Sequence, residues 1–376
     1  MTTAVIIGGG ISGLSSAYYL QKSARFSKIL LLEASHRIGG WMKTEQMDGG
    51  AKFELGPRSL RASGKGSGFN TLCLIEELGL SDQTIHVARS APAAINRFIY
   101  ANGKLNMIPN RFLSFFKTIP PFSDSRQLSL QSCLPVLKEA EKLGDGSLFR
   151  GIMKKSKEPY VHSKECALFK RTRKERWATF SFKNGLQTLS DTVKDAVVSH
   201  PEVELCVNSP CESVSFSNGK AEVTVNGEKI VADHVVSSIY ADDLAKLLPQ
   251  NLEQLQNDLS MIPAVMPPTV GFGHLLPSLE DKSLLGVIYD SCTFPEHDRT
   301  DKPSEDPSMV HVEKLHNSIP QYLVGHEEKL QRISAVIEIE ELPLSLVGSS
   351  YRGVSVHDCI DNARLEMEKI THMDLM

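Results

Sequence analysis

The fold is decided near the start of the chain, where residues 4–13 read Ala4-Val5-Ile6-Ile7-Gly8-Gly9-Gly10-Ile11-Ser12-Gly13. The apolar run predicts a short buried strand, and apolar residues recur at helical spacing after the glycines. Gly8 permits a tight turn, Gly10 lets the backbone approach a pyrophosphate, and Gly13 allows the helix to pack closely on the strand. The N–H groups and dipole at the start of this helix then face the diphosphate, so the stretch indicates a dinucleotide site.

An acidic residue ends the next predicted strand. Lys28–Glu33 contains four apolar residues in succession, which is typical of a strand buried on both faces. Glu33 lies twenty residues after Gly13, where a carboxylate can accept hydrogen bonds from ribose hydroxyls and would repel a 2′-phosphate. The spacing therefore favours a dinucleotide other than NADP, with an ordinary turn between strand and helix as the alternative.

A second pair of glycines follows the acid, in Glu33-Ala34-Ser35-His36-Arg37-Ile38-Gly39-Gly40-Trp41. It offers another close approach of backbone, which a larger ligand laid across the fold requires. Together with Gly8–Gly13 and with Phe53-Glu54-Leu55-Gly56-Pro57-Arg58, this stretch resembles the flavin-containing amine oxidase superfamily. The resemblance implies FAD, bound non-covalently, as the cofactor.

Further sequence motifs narrow the resemblance to the protoporphyrinogen oxidase family of the animal mitochondrial type. These motifs occur in that family's order along nearly the whole chain. They are G-G-W (39–41), F-E-L-G-P-R (53–58), P-A-A-I-N-R-F-I-Y (92–100), L-S-L-Q-S-C (128–133), G-F-G-H-L (271–275), I-Y-D-S (288–291), I-P-Q-Y (319–322) and G-S-S-Y-R-G-V-S-V-H-D-C-I (348–360). The resemblance implies oxidation of protoporphyrinogen IX to protoporphyrin IX, the penultimate step of heme biosynthesis, with O₂ reduced to H₂O₂. The flavin would carry the redox chemistry, so no catalytic side chain and no metal ligand is assigned.

The cofactor contacts are carried over from the family residue by residue. The residues expected at FAD are Gly8, Gly9, Gly10, Ile11, Ser12, Gly13, Glu33, Trp41, Gly56, Pro57, Arg58, Ser59, Cys211, Ser349, Val354, Ser355 and Val356. Gly56-Pro57-Arg58 forms a rigid turn able to point N–H groups at a flavin edge. A helix beginning at Val354 would place its positive dipole beside a reduced flavin. A plain strand–helix turn at Gly348–Gly353 and a core position for Trp41 are the alternatives.

The substrate contacts rest on the chemistry of a tetrapyrrole, which presents a broad apolar face and propionate groups. Such a ligand needs a hydrophobic slot with a cation at its rim, and arginine suits a carboxylate. By resemblance, Arg97 is the expected propionate partner, and Phe272 and Leu275 are the expected apolar walls. The alternatives are a solvated surface arginine and two core residues.

The composition indicates a globular protein of more than one domain. Hydrophobic residues make up 41% of the chain and charged residues 23%, and 376 residues exceed what one core usually holds. We predict an α/β fold: a discontinuous Rossmann-like FAD-binding domain with an inserted β-meander, an α+β substrate-binding region and a helical membrane-associated region. The predicted segments are 1–88, 183–260 and 336–376 for FAD, 89–182 for substrate and membrane, and 261–335 for substrate. Apolar runs predict further strands at 234–239 and 344–347, and apolar residues at helical spacing predict a helix at 71–80. Hairpins are predicted around 101–104, at Asn218-Gly219 and at Asn226-Gly227.

Charge and cysteine usage argue against some classes of partner. A formal net charge of −4 gives no electrostatic reason to expect nucleic acid. The seven cysteines are scattered and no C-x-x-C pair occurs, so neither a disulfide framework nor a zinc site is indicated.

A membrane surface is the expected location. No run of about eighteen apolar residues occurs, and the chain starts directly on a strand, so neither a spanning helix nor a removable secretory signal is expected. The phenylalanine-rich segment Leu105–Pro121 suits an interfacial element, with an amphipathic core segment as the alternative. The basic run at 150–176 is predicted to be a solvated helix face. The resemblance implies peripheral attachment to the inner mitochondrial membrane and a homodimer.

Three internal segments that the family carries are missing from this sequence. They would follow Ser123, Val265 and Asp298. In the family these pieces line the substrate pocket, and losing strands removes ladder partners together with core faces. A variant that binds FAD without turnover therefore remains an alternative, as does another branch of the superfamily such as an amine oxidase.

Overall fold

The computed structural model describes residues 2–62, 66–96, 98–101, 103–107, 165–265, 273–275, 286–288, 293–297, 319–320, 322–323, 325–373 and 375. A central sheet contains five parallel strands: β1 (Thr3–Ile7), β2 (Lys28–Leu32), β10 (Val203–Cys206), β14 (His234–Ser237) and β19 (Leu344–Leu346). Their spatial order is β10-β2-β1-β14-β19, so the first strand of the chain lies in the middle of the sheet. The strands predicted from the apolar runs at 4–7, 28–33, 234–239 and 344–347 are confirmed, with ends shifted by one or two residues.

The central strands are buried on both faces because the pleat sends alternate side chains to opposite sides. Ile6 lies opposite Leu31 on one side and Val236 on the other, so apolar residues stand in register across the sheet. One face contributes Ala4, Ile6, Ile29 and Leu31 to a first core, and the other contributes Val5, Ile7, Leu30 and Leu32 to a second core. The continuous apolar runs of β1 and β2 follow from this two-sided burial.

Four long helices contribute most of the helical part of the first core: α1 (Ile11–Leu20), α2 (Ser67–Glu77), α5 (Gln187–Val198) and α9 (Val356–Thr371). Leu168, from a shorter helix, joins the same core. Helix α1 packs against both α5 and α9, and α2 packs on α9. The helix predicted at 71–80 begins earlier, at Ser67, and ends at Glu77. Gly79 follows with a φ of 72°, which turns the chain out of the helix.

An antiparallel sheet lies over the second core. It consists of β11 (Cys211–Ser217), β12 (Lys220–Val225) and β13 (Glu228–Ala232), and the helices α6 (Ala241–Leu247), α7 (Glu253–Ser260) and α8 (His326–Ile339) complete this side. The two hairpins predicted from Asn218-Gly219 and Asn226-Gly227 are confirmed. All four of these residues have positive φ, between 51° and 78°, as the tight hairpin turn requires.

Four smaller sheets and two helices complete the described residues. Strand β9 (Trp177–Phe182) lies between β5 (Leu60–Arg61) and β6 (Thr84–Ala88). Strand β3 (Thr44–Gln46) pairs with β4 (Lys52–Glu54), and β15 (Ala264–Val265) pairs with β18 (Ile319–Pro320). The hairpin predicted around 101–104 is confirmed as β7 (Phe98–Ala101) and β8 (Lys104–Met107), which joins β16 (Gly273–Leu275) and β17 (Gly286–Ile288). The short helices are α3 (Pro92–Ile95) and α4 (Ala167–Lys174).

The mixed α/β fold is confirmed, and the predicted division into five segments stays a prediction. Within the described part of the chain, no helix combines the length and the apolar character needed to cross a membrane. The predicted interfacial segment lies outside the described residues from 108 onward. Of the basic run at 150–176, the described part includes α4, where Arg173 and Lys174 are exposed as a solvated helix face requires.

Candidate functional site at the edge of the parallel sheet

The glycine turn after β1 has the geometry that the sequence predicts. Gly8 has a φ of 103°, and its N–H donates to the Leu32 carbonyl at 2.8 Å. A Cβ on Gly13 would lie 1.9 Å from the Gly8 carbonyl oxygen, so only glycine permits α1 to start this close to β1. Gly10 is the N-cap of α1, and among the described residues no side chain caps it. The N–H groups of the first turn are therefore left for a ligand.

The second glycine pair lies directly against the first. The Gly39 N–H donates to the Gly9 carbonyl at 2.9 Å, and Gly10 and Gly39 form a parallel β-bridge. A Cβ on Gly40 would lie 3.0 Å from Gly10 Cα, so bare backbone meets bare backbone here. Gly39 and Gly40 both have positive φ, at 110° and 55°. The two glycine segments are separated in the sequence by α1 and β2, and together they form one backbone-lined cradle.

Arg37 holds this second pair in place, a role that the sequence reasoning missed. Its guanidinium donates to the carbonyls of Ile38 at 3.0 Å, of Met42 at 3.1 Å and of Gly40. A planar fork of donors can satisfy several carbonyls of one tight turn, which a lysine ammonium cannot do with the same geometry. The arginine lies within the quoted motif, but only the fold shows that its partners are carbonyls of its own turn.

Glu33 lies beside the glycine cradle, as its position after β2 predicts. Its Oε2 accepts the Gly9 N–H at 2.7 Å, and its Oε1 accepts the Ser35 N–H at 2.9 Å and the Ser35 hydroxyl at 2.7 Å. The carboxylate thus orders the glycine turn first. Because each carboxylate oxygen has two lone pairs, Oε2 can still accept a ribose hydroxyl.

Cys211 lies at the start of β11, next to the acid's own loop. The Ser209 N–H donates to the Glu33 carbonyl at 2.8 Å, and the Asn208 N–H donates to the Ser35 carbonyl at 2.9 Å. These bonds tie the segment before Cys211 to the end of β2. Burial raises the pKa of the Cys211 thiol to about 11, so the thiol is neutral and any contact it makes is not that of a thiolate.

The predicted turn at Gly56–Ser59 is joined to Trp41 through backbone. A Cβ on Gly56 would lie 1.7 Å from the Trp41 carbonyl oxygen, so glycine is required there. The Trp41 side chain is 43% exposed, which contradicts the alternative of a core position.

Glu54, just before this turn, is a second residue that the sequence reasoning missed. It is buried, and its carboxylate accepts the Leu186 N–H at 2.6 Å and the Thr44 hydroxyl at 2.8 Å. Leu186 is the N-cap of α5, so the carboxylate lies at the positive end of that helix. The segment leading into Gly56 is therefore anchored on α5.

The corner after β19 approaches the same place from the other side of β1. Gly348 has a φ of 110°, and a Cβ there would lie 3.4 Å from the Ser238 carbonyl and 3.6 Å from the Ser12 hydroxyl of α1. Val354 is 41% exposed. The corner therefore places its backbone beside the N-terminus of α1, where the sequence predicts cofactor contacts from Ser349 and Val354–Val356.

One prediction at this corner was wrong in detail. The helix does not begin at Val354: its N-cap is Ser355 and its first residue is Val356. Ser355 and Asp358 form a capping box, in which the Ser355 hydroxyl accepts the Asp358 N–H and the carboxylate accepts the Ser355 N–H. The aspartate offsets part of the positive dipole that the sequence reasoning placed beside the flavin.

The predicted substrate residues lie largely outside the described part of the chain. Arg97 and Phe272 are not among the described residues, and of Leu275 the structure describes the backbone in β16. That backbone lies opposite Ile99 of β7, so β7 from the N-R-F-I-Y motif and β16 from the G-F-G-H-L motif are neighbouring strands of one sheet. Their roles in substrate binding stay predictions.

The described residues fit a dinucleotide that crosses the edge of the parallel sheet. A Cβ on Gly10 would meet only the Gly40 Cα, at 3.8 Å, so the backbone is open to close approach by a phosphate. N–H donors of α1 suit a pyrophosphate, and the Glu33 carboxylate suits a ribose. Trp41 and Val354 add two exposed apolar side chains suited to a ring system.

Known proteins similar to this chain identify its family. The family model for flavin containing amine oxidoreductases matches residues 11–175 and 160–312. Protoporphyrinogen oxidase from Bos taurus is 32% identical, and the one from Homo sapiens is 31% identical; each alignment covers 96% of this chain and 97% of the relative. Both alignments extend over 467 residues, more than the 376 of this chain, so they contain internal positions for which this chain has no residue. That internal residues are missing relative to these proteins is therefore confirmed, and the three predicted places stay predictions.

Solved structures share the fold. A protein from Exiguobacterium sp. 255-15, proposed to be a protoporphyrinogen oxidase, superposes with a TM-score of 0.72, covers 99% of each chain and is 20% identical. A variant of putrescine oxidase superposes with a TM-score of 0.53 at 14% identity, covering 99% of this chain and 98% of that one. At these identities the likeness concerns the fold alone.

Proposed function

The chain belongs to the flavin containing amine oxidoreductase family, and on that premise we propose that it is an FAD-dependent oxidase of protoporphyrinogen IX. The product is protoporphyrin IX, which makes the reaction the penultimate step of heme biosynthesis. We assign O₂ as the electron acceptor, with H₂O₂ as its product. Two classes of observation support the proposal, one for the cofactor and one for the substrate.

The cradle formed by Gly8–Gly13 and Gly39–Gly40 carries the cofactor half. Close backbone approaches exclude a side chain at Gly13 and crowd one at Gly40, the helix start is uncapped among the described residues, and Glu33 stands beside it. The substrate half rests on the similarity to two protoporphyrinogen oxidases along 96% of the chain.

The chain's own residues bind and orient in this mechanism. When bound, FAD supplies the acceptance of hydride equivalents, which porphyrinogen oxidation requires three times per substrate molecule. The first-turn N–H groups of α1 would bind the pyrophosphate, and Glu33, which orders Gly9, would hold the adenosine ribose. The turn at Gly56–Ser59 and the corner at Ser349–Val356 would hold the flavin ring. Glu54 positions the segment that leads into Gly56, and Arg37 positions the glycine pair at 39–40; both act through these segments.

The residues proposed to contact the substrate lie largely outside the described part of the chain. We assign Arg97 to a propionate, and Phe272 and Leu275 to the apolar walls of a slot beside the flavin. An apolar substrate of this kind is best delivered from a lipid surface, which supports peripheral attachment to the inner mitochondrial membrane through 105–121. A homodimer is part of the same proposal.

A second candidate function has an observation of its own. The alignments contain positions to which this chain contributes no residue, and lost strands would remove part of a substrate slot. A chain that binds FAD without oxidising a porphyrinogen is therefore the competing proposal.

One experiment separates the two. The purified chain is examined for a flavin absorption spectrum, and porphyrin fluorescence is then followed after addition of protoporphyrinogen IX and O₂. Coproporphyrinogen III serves as a second substrate, because a relative from Bacillus subtilis acts on it by name, and putrescine serves as the amine control. A yellow protein that produces porphyrin fluorescence supports the oxidase. A yellow protein without a gain of fluorescence supports the non-catalytic alternative, and a colourless folded protein refutes both.

A further inference from the structure

Two side chains outside the corner between β19 and α9 form hydrogen bonds with its backbone. Tyr322 is the last residue of the I-P-Q-Y motif, and His326 is the first residue of α8. Their rings are stacked, with centroids 3.9 Å apart and planes only 8° from parallel. Both polar groups point to the backbone of residues 349–353, so the pair faces the corner as one unit.

Tyr322 bridges the two ends of the corner. Its hydroxyl donates to the Ser349 carbonyl at 2.5 Å and accepts the Gly353 N–H at 2.8 Å. Burial raises the pKa of this phenol, so it keeps its proton and can do both at once. Gly353 has a φ of 117°, a conformation that side chains rarely permit, so the orientation of its peptide depends on such a partner.

His326 holds the middle of the corner. Its Nε2 lies 2.8 Å from the Tyr351 carbonyl, and since a carbonyl only accepts, Nε2 must carry the proton. Burial lowers the pKa of His326, so the neutral Nε2–H tautomer is the state that donates. The donor is therefore present across the whole neutral pH range.

The corner has few other ties. The Ser350 hydroxyl accepts the Ala241 N–H at 3.2 Å, and the Asn362 side chain donates to the Arg352 carbonyl at 2.9 Å. These bonds tie Ser350 to α6 and Arg352 to α9. The Ser349 carbonyl, the Tyr351 carbonyl and the Gly353 N–H are bonded to Tyr322 and His326 instead. Without the pair, three backbone groups of a strained turn would have to find partners in solvent.

We propose that Tyr322 and His326 form a clamp that positions the corner at Ser349–Val356 for the flavin ring. They act through the backbone that they hold and do not contact the reacting atoms. The inference rests on the proposed function, because the corner is a cofactor contact only if the chain binds FAD. The clamp gives the I-P-Q-Y motif a physical role, because this motif connects the predicted substrate segment at 261–335 to the cofactor.

The test titrates the full apo-protein with FAD, and Tyr322→Phe is the first variant. This change removes both hydroxyl hydrogen bonds and keeps the ring stack. Tyr240→Phe is the matched control, because it removes a hydroxyl hydrogen bond of the same kind, to the Ile262 carbonyl at 2.5 Å at the end of α7, and leaves the Ala241 N–H bonded to Ser350. Urea unfolding of each apo-protein and the visible circular dichroism of the bound flavin are recorded alongside the dissociation constant.

The clamp predicts a difference that a merely structural residue would not produce. Tyr322→Phe raises the Kd of FAD by about tenfold and changes the visible circular dichroism of the flavin, while Tyr240→Phe leaves both within about twofold of wild type. His326→Ala raises the Kd as well, and His326→Gln restores most of the affinity because the amide can still donate to Tyr351.

The possible results separate the clamp from the proposed function. If wild type does not bind FAD, the proposed function and the clamp are both refuted. If wild type binds FAD and Tyr322→Phe binds it equally well, or if Tyr240→Phe is weakened as much, the clamp alone is refuted. Should Tyr322→Phe fail to fold, the His326→Ala and His326→Gln pair decides: equal Kd values for the two variants count against the clamp.

Discussion

Gly10→Ala separates ligand binding from folding at the glycine cradle. Gly10 has a φ of −73° and a ψ of 178°, which any residue adopts. The added Cβ would meet only the Gly40 Cα, at an ordinary contact distance of 3.8 Å. Among the described residues nothing resists the methyl group, so the apo-protein should accept it.

The size of the effect follows from where the methyl group points. We expect the free energy of unfolding of the apo-protein to change by less than about 0.5 kcal/mol, as at a site without a packing conflict. A pyrophosphate lying on the Gly10 backbone would have to move away by the size of a methyl group. Overpacking of this kind costs about 1–3 kcal/mol, which corresponds to a roughly 5- to 150-fold rise in the Kd of FAD.

Gly13→Ala is the contrasting variant. Its Cβ would lie 1.9 Å from the Gly8 carbonyl and 2.8 Å from the Ser238 hydroxyl, so the start of α1 must move away from β1. We expect it to lower the free energy of unfolding of the apo-protein by about 3 kcal/mol. Its loss of FAD affinity then reflects a damaged fold, which Gly10→Ala does not share.

The assay pairs urea unfolding of the apo-proteins with FAD titration followed by flavin fluorescence. A stable Gly10→Ala protein with a weakened Kd supports the cradle as the pyrophosphate site. The reasoning is refuted if Gly10→Ala binds FAD within about twofold of wild type, or if it destabilises the apo-protein as much as Gly13→Ala does.

Three further predictions concern other parts of the molecule. Arg97→Ala should raise the KM for protoporphyrinogen IX by about tenfold without lowering the flavin content, and an equal loss of both would contradict its assignment to a propionate. Arg37→Lys should raise the Kd of FAD by about tenfold, because an ammonium cannot satisfy the carbonyls of the turn at 38–42; the control is Arg173→Lys on exposed α4, which should leave the Kd unchanged. Burial, aided by the nearby Arg25, lowers the pKa of His234 to about 4. Above about pH 6.5 the His234 ring is neutral in both the native and the unfolded chain. As the pH falls toward 4, the ring binds a proton in the unfolded chain but not in the native chain, so the free energy of unfolding decreases. Urea unfolding should show about 2 kcal/mol of such loss between pH 7 and pH 5 in wild type that His234→Gln lacks, and parallel pH profiles would contradict it.

Local patterns account for most of what could be predicted about the fold. The two Asn-Gly hairpins were found because positive φ is a property of the turn residues themselves. The strand, glycine turn and helix at 3–20 were found for the same reason, since the spacing of Gly8 and Gly13 reports a contact between residues close in sequence. The start of α9 was predicted two residues too early, at Val354 instead of Val356, because the prediction overlooked Ser355 and Asp358, whose spacing is a local capping signal.

The residues missed at the site are those whose partners are distant or are backbone carbonyls. Glu54 and Leu186 are 132 residues apart, and Tyr322 and Gly353 are 31 apart. No periodicity links such pairs, and an arginine that donates to its own turn, as Arg37 does, reads in sequence like any exposed arginine.

By itself, the sequence determined the β1–glycine–α1 unit, the acid after β2 and the hairpins, because each depends on the conformational preferences and spacing of neighbouring residues. Only the tertiary structure decided that Gly10 meets Gly39 and Gly40, that the corner at Gly348–Val356 arrives beside α1, and that Tyr322 and His326 hold it there. The reason is physical: these contacts form when the parallel order β10-β2-β1-β14-β19 brings distant strand ends to one edge of the sheet, and that order is set by burial of the whole chain.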